Sequence, residues 1–292
     1  MTYRRTASIL AMSLIFPAAD PRFFEMYSHF QDPELMLQRL LKTNAPELPP
    51  DLMSGIRRFN MDIVNDIIGY CENRGIKILT FLDKEYPECF NRICCPPILI
   101  YCMGELSDAM NRPSLAVVGA RKASSYSLRA AEYFSSVTAK NGFTIVSGFA
   151  NGTDTAAHTS AISAGGKTLS VLGCGIDYDY PSGKGELKKL ISQNGAVLSE
   201  YPPLEPPAPN NFRVRNRLIA ALSDGVLVIQ AGNKSGALNT VGHALDQGKD
   251  IFVIPPRDIF SSDYAGQAML LRDGAEAVCS PEEIMLSILG SF

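Results

Sequence analysis

The apolar positions between residues 114 and 158 change period three times, from strand to helix, to strand and to helix again. Leu115–Val118 is a short, continuous apolar run, as expected of a strand buried on both faces. Gly119-Ala120-Arg121 then turns the chain, Ser124 or Ser125 can cap the helix that follows, and Gly142 ends it. Phe143–Val146 reads as a second strand and Ser147-Gly148 as a second turn. Thr153 or Asp154 can cap a second helix, which carries His158. The alternation continues to the end of the chain. Strands are expected at 115–118, 143–147, 168–173, 196–200, 225–230, 251–254 and 276–279. Helices are expected at 125–140, 154–164, 184–193, 214–222, 237–247, 265–272 and 281–289. Strands and helices alternating at this spacing imply right-handed crossovers, and so an α/β fold with a doubly wound, mostly parallel sheet.

The first part of the chain has a different pattern. Helical periodicity covers Tyr3–Phe16, Pro21–Phe30, Pro33–Leu41 and Met61–Asn73, punctuated by Pro17, Asp32-Pro33 and Pro49-Pro50. This predicts a small helical domain over residues 1–75, ahead of a core over 76–292. Arg4-Arg5 and the apolar run behind them read as a helix rather than a leader, because polar residues resume at once. A strand at 75–81, a short helix from Tyr86-Pro87 and a strand at 97–101 lead to a hinge at Asn111-Arg112-Pro113. The proline-rich run Tyr201–Pro209 is expected to be stiff and to deliver Asn210–Arg217 as a loop over the sheet edge. The last segment is apolar nearly all round. Ile284, Met285, Ile288 and Leu289, with Leu286 and Phe292, form either a dimer or partner surface or a terminal helix packed on the sheet.

With 46% hydrophobic and 20% charged residues, the chain has the composition of an ordinary globular protein, and its apolar runs are too short to span a membrane. The seven cysteines have no zinc-ligand spacing, and adjacent Cys94-Cys95 makes a poor disulfide. Buried free thiols in a reducing cytoplasm account for all of them. Three scattered histidines argue against a metal site. Net charge is −3, so any polyanion site must be local. The densest basic region holds Lys184, Lys188, Lys189, Arg213, Arg215 and Arg217 against Glu186, Glu200 and Glu205.

Helix N-termini present free N–H groups and the positive end of the helix dipole, so they attract phosphate. Several strand-end turns here are rich in glycine: Gly119-Ala120-Arg121, Ser147-Gly148, Gly173-Cys174-Gly175 and Ala231–Gly236, which includes Lys234 and Ser235. None has the dinucleotide spacing, the order of the P-loop residues or a nucleophile elbow. Phe212-Arg213-Val214-Arg215-Asn216-Arg217 alternates basic residues beside an aromatic ring, which suits phosphate contacts with a stacking partner. If extended, the run puts its arginines on one face; if helical, it fans them over about 200°. Asp154 and His158 lie four apart on one helix and read as an acid–base pair or, more simply, as a cap and a packed histidine.

Together these motifs resemble the DprA/Smf family of DNA-processing proteins of natural transformation. The resemblance rests on Gly119-Ala120-Arg121 and on Ser147, Gly148, Ala150, Gly152, Asp154, Ala157 and His158. It continues through Val171–Asp177 with Tyr180-Pro181, and through Ser199–Pro202. Phe212, Arg215, Asn216, Arg217, Ile219, Ala220, Leu222 and Ser223 complete another motif, and Ala231, Ser235–Leu238 and Thr240 the last. The chain departs from the family pattern at Asn151-Gly152-Thr153, where Arg-Gly-Ile is usual, at Gln230 for Glu, at Arg213 for Pro and at Pro256 for Gly.

The resemblance implies an extended Rossmann-like core behind a small helical (SAM-like) domain, with no winged-helix domain after it. It implies a cytoplasmic homodimer, without catalysis or cofactor, that binds single-stranded DNA during competence and recombination and loads the RecA recombinase onto it. The DNA pocket it implies comprises Gly119, Arg121, Ser147, Gly148, Gly173, Gly175, Tyr180, Lys184, Phe212, Arg215, Asn216, Arg217, Lys234, Ser235 and Gly236. Two rival functions use the same pocket. One is a phosphoribohydrolase-like enzyme, which Asn233–Thr240 disfavours because no carboxylate stands where that enzyme needs its acid. The other is a sensor of a small nucleotide.

Overall fold

A computed structural model describes residues 3–42 and 48–290. Five helices come first: α1 (Tyr3–Ile15), α2 (Pro21–Phe30), α3 (Pro33–Lys42), α4 (Pro50–Arg58) and α5 (Met61–Arg74). Strand β1 (Lys77–Thr80) leads through a 3-10 turn at Glu88–Arg92 to β2 (Leu99–Gly104) and the one-turn helix α6 (Ser107–Met110). Then come β3 (Ser114–Val118), α7 (Ser125–Lys140), β4 (Thr144–Ser147), α8 (Thr153–Ser163), β5 (Lys167–Leu172), α9 (Gly185–Gln193) and β6 (Gly195–Ser199). The chain closes with α10 (Pro209–Ala221), β7 (Gly225–Val228), α11 (Gly236–Asp246), β8 (Asp250–Val253), α12 (Ala265–Arg272), β9 (Glu276–Ala277) and α13 (Pro281–Gly290).

The nine strands form one sheet in the order β1-β2-β6-β5-β4-β3-β7-β8-β9. From β6 to β9 all neighbours are parallel; β1, β2 and β6 are joined antiparallel. This is the expected doubly wound α/β sheet, of Rossmann type. β3 lies between β4 and β7, so the winding direction reverses there and leaves a crevice at the carboxyl ends of these strands. The central strands are buried on both faces, which explains their unbroken Val, Leu and Ile runs.

Three apolar clusters hold the layers together. One joins β3, β4 and β7 to α10 and α11, and another fills the opposite face with Phe134, Phe143 and Ile284. The third joins α1–α5 to the antiparallel edge, where Ile9, Met12, Met36 and Val64 share a core with Leu99, Tyr101, Ile176, Ile191 and Val197. The helical N-terminal region therefore has no separate core. Tyr70 Oη donates to Asp177 at 2.5 Å and Arg74 pairs with the same carboxylate at 2.9 Å, which adds a polar clamp to that junction.

Several elements differ from the sequence expectation. The Pro49-Pro50 pair does not mark a loop but starts α4, because Pro50 occupies the first helical turn, where a missing N–H has no cost. Pro209 does the same for α10, so Asn210–Arg217 is helix and not a loop over the sheet edge. The N-cap of α8 is Gly152, with no side-chain bond, rather than Thr153 or Asp154. Ile284 and Ile288, expected on an outer apolar face, are buried against the sheet, and Met285 is half-buried. Only Leu289, together with Leu286, points outward; Phe292 lies outside the described residues. Not all the thiols are buried: Cys94 and Cys279 are exposed, and Cys89 and Cys95 are partly so.

Candidate nucleic-acid interface

An open cleft of about 1470 Å³ occupies the crevice at the ends of β3, β4 and β7. Its walls are the turns that lead into α7, α8 and α11 and the first half of α10. Ser124 caps α7 by accepting from the Ser127 N–H at 3.2 Å, and Ser235 caps α11 by accepting from the Ala237 N–H at 3.3 Å. Five basic side chains line the cleft (Arg121, Lys122, Arg213, Arg215 and Lys234) against two acidic ones, Asp154 and Asp263. The local sign is thus opposite to that of the whole chain, which carries −3.

Phe212 organises the centre. The Arg121 guanidinium lies 5.2 Å from its ring centroid and that of Arg215 lies 5.9 Å away; Tyr180 meets it at 5.6 Å with the rings tilted by 45°. The ring rests on Gly173, where a Cβ would come within 2.6 Å of Cδ1. Gly173 does not line the cleft; it makes room for the ring that does.

Beneath Phe212 is a buried polar layer. Arg215 is buried, and its guanidinium donates to the carbonyl of Val171 and, through Nε, to Asn216 Oδ1 at 3.1 Å. Asp154 accepts from the Ala150 N–H at 3.1 Å. Both side chains press against Gly148, where a Cβ would lie 2.5 Å from Asp154 Oδ2 and 2.9 Å from Arg215 Nη2. Burial raises the Asp154 pKa, and the Arg215 charge opposes the shift. Burial likewise lowers that of Arg215. His158 lies deeper, with Nε2 2.7 Å from the carbonyl of Gly148 and Nδ1 2.7 Å from Thr168 Oγ1. Because a carbonyl only accepts, Nε2 carries the proton. Burial pushes the pKa of this imidazole down to about 4. Asp154 and His158 thus have separate partners and serve as a buried carboxylate and a packed histidine.

Arg217 leaves the cleft altogether. Arg213 is exposed in the cleft and Arg215, about 200° further round α10, is buried beneath Phe212; Arg217 returns to nearly the face of Arg213 but lies a turn further along the helix, beyond the cleft. There its guanidinium makes a two-pronged pair with Glu200 at 2.7 and 2.8 Å, and Nε donates to the carbonyl of Cys95 at 2.9 Å. Both side chains are only 6% exposed.

Ten of the residues expected in the pocket line the cleft: Gly119, Arg121, Gly148, Tyr180, Phe212, Arg215, Asn216, Lys234, Ser235 and Gly236. Five do not. Besides Gly173 and Arg217, Ser147 is buried and donates to the carbonyl of Val117, and Lys184 donates to Thr155 Oγ1. Gly175 carries the proline-rich strap, donating its N–H to the carbonyl of Glu205 at 2.8 Å. The structure adds Lys122, Asn239, Ser262 and Asp263 to the walls. Lys122 was readable as the neighbour of Arg121, whereas nothing in the local sequence marks Ser262 and Asp263. Gln230, where the family pattern has Glu, accepts the Ser124 N–H at 2.9 Å without adding negative charge to the cleft.

No helix among the described residues is long and apolar enough to cross a membrane. A sequence profile described as DNA recombination-mediator protein A matches residues 77–288. The DNA processing protein DprA of Streptococcus pneumoniae is 38% identical over 259 residues, 89% of each chain. Protein Smf of Synechocystis is 33% identical over 87% of this chain and 69% of its own length. The X-ray structure of the pneumococcal DprA superposes with a TM-score of 0.83 at 31% identity, covering 96% of both chains. A structure of DNA processing protein A from Helicobacter pylori, described for its single-stranded DNA binding mode, gives 0.66 at 32% identity, over 74% of this chain and 97% of that one.

Proposed function

This chain belongs to the DNA recombination-mediator protein A family, and on that premise we propose that its cleft binds single-stranded DNA with little regard to sequence. The observation that carries this reading is the pairing of exposed Arg121, Lys122, Arg213 and Lys234 with Phe212 in one open cleft on a chain of net negative charge. The cations meet phosphates, and the ring offers a face to a base. The relative from Helicobacter pylori, described by its single-stranded DNA binding mode, supports the choice of ligand. The cleft has a binder's chemistry rather than an enzyme's. Asp154 is committed to the Ala150 N–H, His158 is sealed beneath the floor, and Asn233–Thr240 contains no carboxylate.

In its fuller form the reading has the protein acting in the cytoplasm as a homodimer and delivering the covered strand to the RecA recombinase. Its test is fluorescence anisotropy with labelled single-stranded and duplex oligonucleotides of several lengths at two salt concentrations. Salt-sensitive affinity that grows with the length of the single strand is the expected result. Equal affinity for mononucleotides would move the assignment to a nucleotide sensor. Filament assembly by RecA on strands coated with this protein then tests the loading step.

A further inference from the structure

After β8 the chain runs through Pro255-Pro256 and a loop to the short 3-10 turn Ser262–Tyr264, and that loop carries the most exposed large apolar side chain among the described residues. Phe260 is 93% exposed, and its neighbour Ile259 is 70% exposed. The loop is not slack. Phe260 N–H donates to Asp258 Oδ1 at 2.9 Å, and Tyr264 N–H donates to the carbonyl of Ser261 at 3.1 Å. Its far end is pinned to two walls of the cleft. Tyr264 Oη meets Ser124 Oγ at 2.7 Å, at the start of α7, and the Gly266 N–H donates to the carbonyl of Ala231 at 2.9 Å. Ser262 and Asp263 already line the cleft. Two residues of chain span at most about 7 Å, so Phe260 stands at the cleft rim.

The loop's charge defines what that rim can accept. Asp258 and Asp263 outweigh the loop's one cation, Arg257, so this side attracts phosphate less than the walls that carry Arg121, Lys122, Arg213 and Lys234. A strand with its phosphates on those cations can turn its bases towards the aromatic side. We propose that Phe260 is a stacking platform for an unpaired base of that strand, with Ile259 extending the apolar surface beside it. This deepens the single-strand reading of the cleft and rests on it. A phenyl ring has no hydrogen-bonding group and treats every base alike, so the contact favours unpaired nucleic acid without reading sequence.

The chain contains no tryptophan, so Phe260→Trp places a single indole at the rim. Its emission is titrated with a thymidine oligonucleotide and with an abasic strand of equal length, while anisotropy of the labelled strands reports binding independently. Quenching by the thymidine strand and not by the abasic one is expected. Phe260→Ala should weaken thymidine-strand binding roughly tenfold, leaving the affinity for the abasic strand and the slope against salt unchanged. Binding by anisotropy without quenching would overturn the stacking role and leave the cleft reading intact. An absence of binding by the parent protein would overturn both. A spectral shift that follows protein concentration without DNA would overturn it in favour of contact with a second copy of the chain.

Discussion

The arginines of α10 handle charge in opposite ways. On the cleft side, Arg213 reaches solvent and Arg215 stacks near Phe212 without a bidentate acidic partner. One turn beyond Arg213 and on nearly the same helix face, Arg217 is locked to Glu200 and to the carbonyl of Cys95, out of reach of water. At Arg213 the positive charge is unneutralised and so available to a ligand. At Arg217 it is neutralised and so holds α10 against the end of β6 and the loop before β2. Proximity of arginines in sequence therefore says little about their work; the partner each meets across the fold assigns it.

The sharpest test of this division is Glu200→Ala. It leaves a buried guanidinium unpaired and should lower stability by about 3–5 kcal/mol in urea unfolding, with little change in the affinity of the protein that remains folded. A large drop in DNA affinity in the folded fraction would place Arg217 among the ligand contacts after all. Next in size is a pH effect from the layer under the cleft. The unfolded His158 takes a proton near its ordinary 6.5, but the folded one refuses it until about 4. Protons thus favour the unfolded chain in that window, so stability falls as pH drops from about 6.5 towards 4, by up to about 3 kcal/mol. Thermal melts across this range should show the fall, and His158→Gln should flatten it.

Arg121→Ala has the reverse signature to Glu200→Ala. It should weaken single-strand binding by about 1–3 kcal/mol and reduce the salt slope by about 0.7 for each phosphate left without its cation, while the urea midpoint stays put. The smallest expected effect is a gain. Asn151 is exposed beside Ala150 of the cleft wall, and Asn151→Arg should tighten binding by less than about 1 kcal/mol and steepen the salt dependence.

The parallel sheet was legible because its strands are buried on both faces and its helices keep their period; Leu115–Val118 can be little else. The cleft was legible as a set of turns, since glycine and serine at strand ends serve the same geometry in any such sheet. What local pattern could not supply was the side of a helix or the partner across the fold. Pro50 and Pro209 looked like breaks because a proline that opens a helix and one that ends a helix are the same residue in a string. Arg217 looked like a phosphate contact because Glu200 and Cys95 lie on other elements. Ile284 and Ile288 looked like a surface because an all-apolar helix does not say which of its sides meets the sheet. Phe260 drew no notice, since one aromatic in a loop has no period.

The core shared by α1–α5 and the antiparallel edge has a consequence for biogenesis. These helices emerge from the ribosome before the sheet does, and the residues that close their core, Ile176, Ile191 and Val197, follow more than a hundred residues later. At about 5–20 residues per second, the nascent helices wait for seconds with Ile9, Met12 and Met36 unburied. Chaperones that hold apolar helices would find their binding interval there, and synthesis halted before β6 would leave a fragment fit for proteolysis rather than for folding.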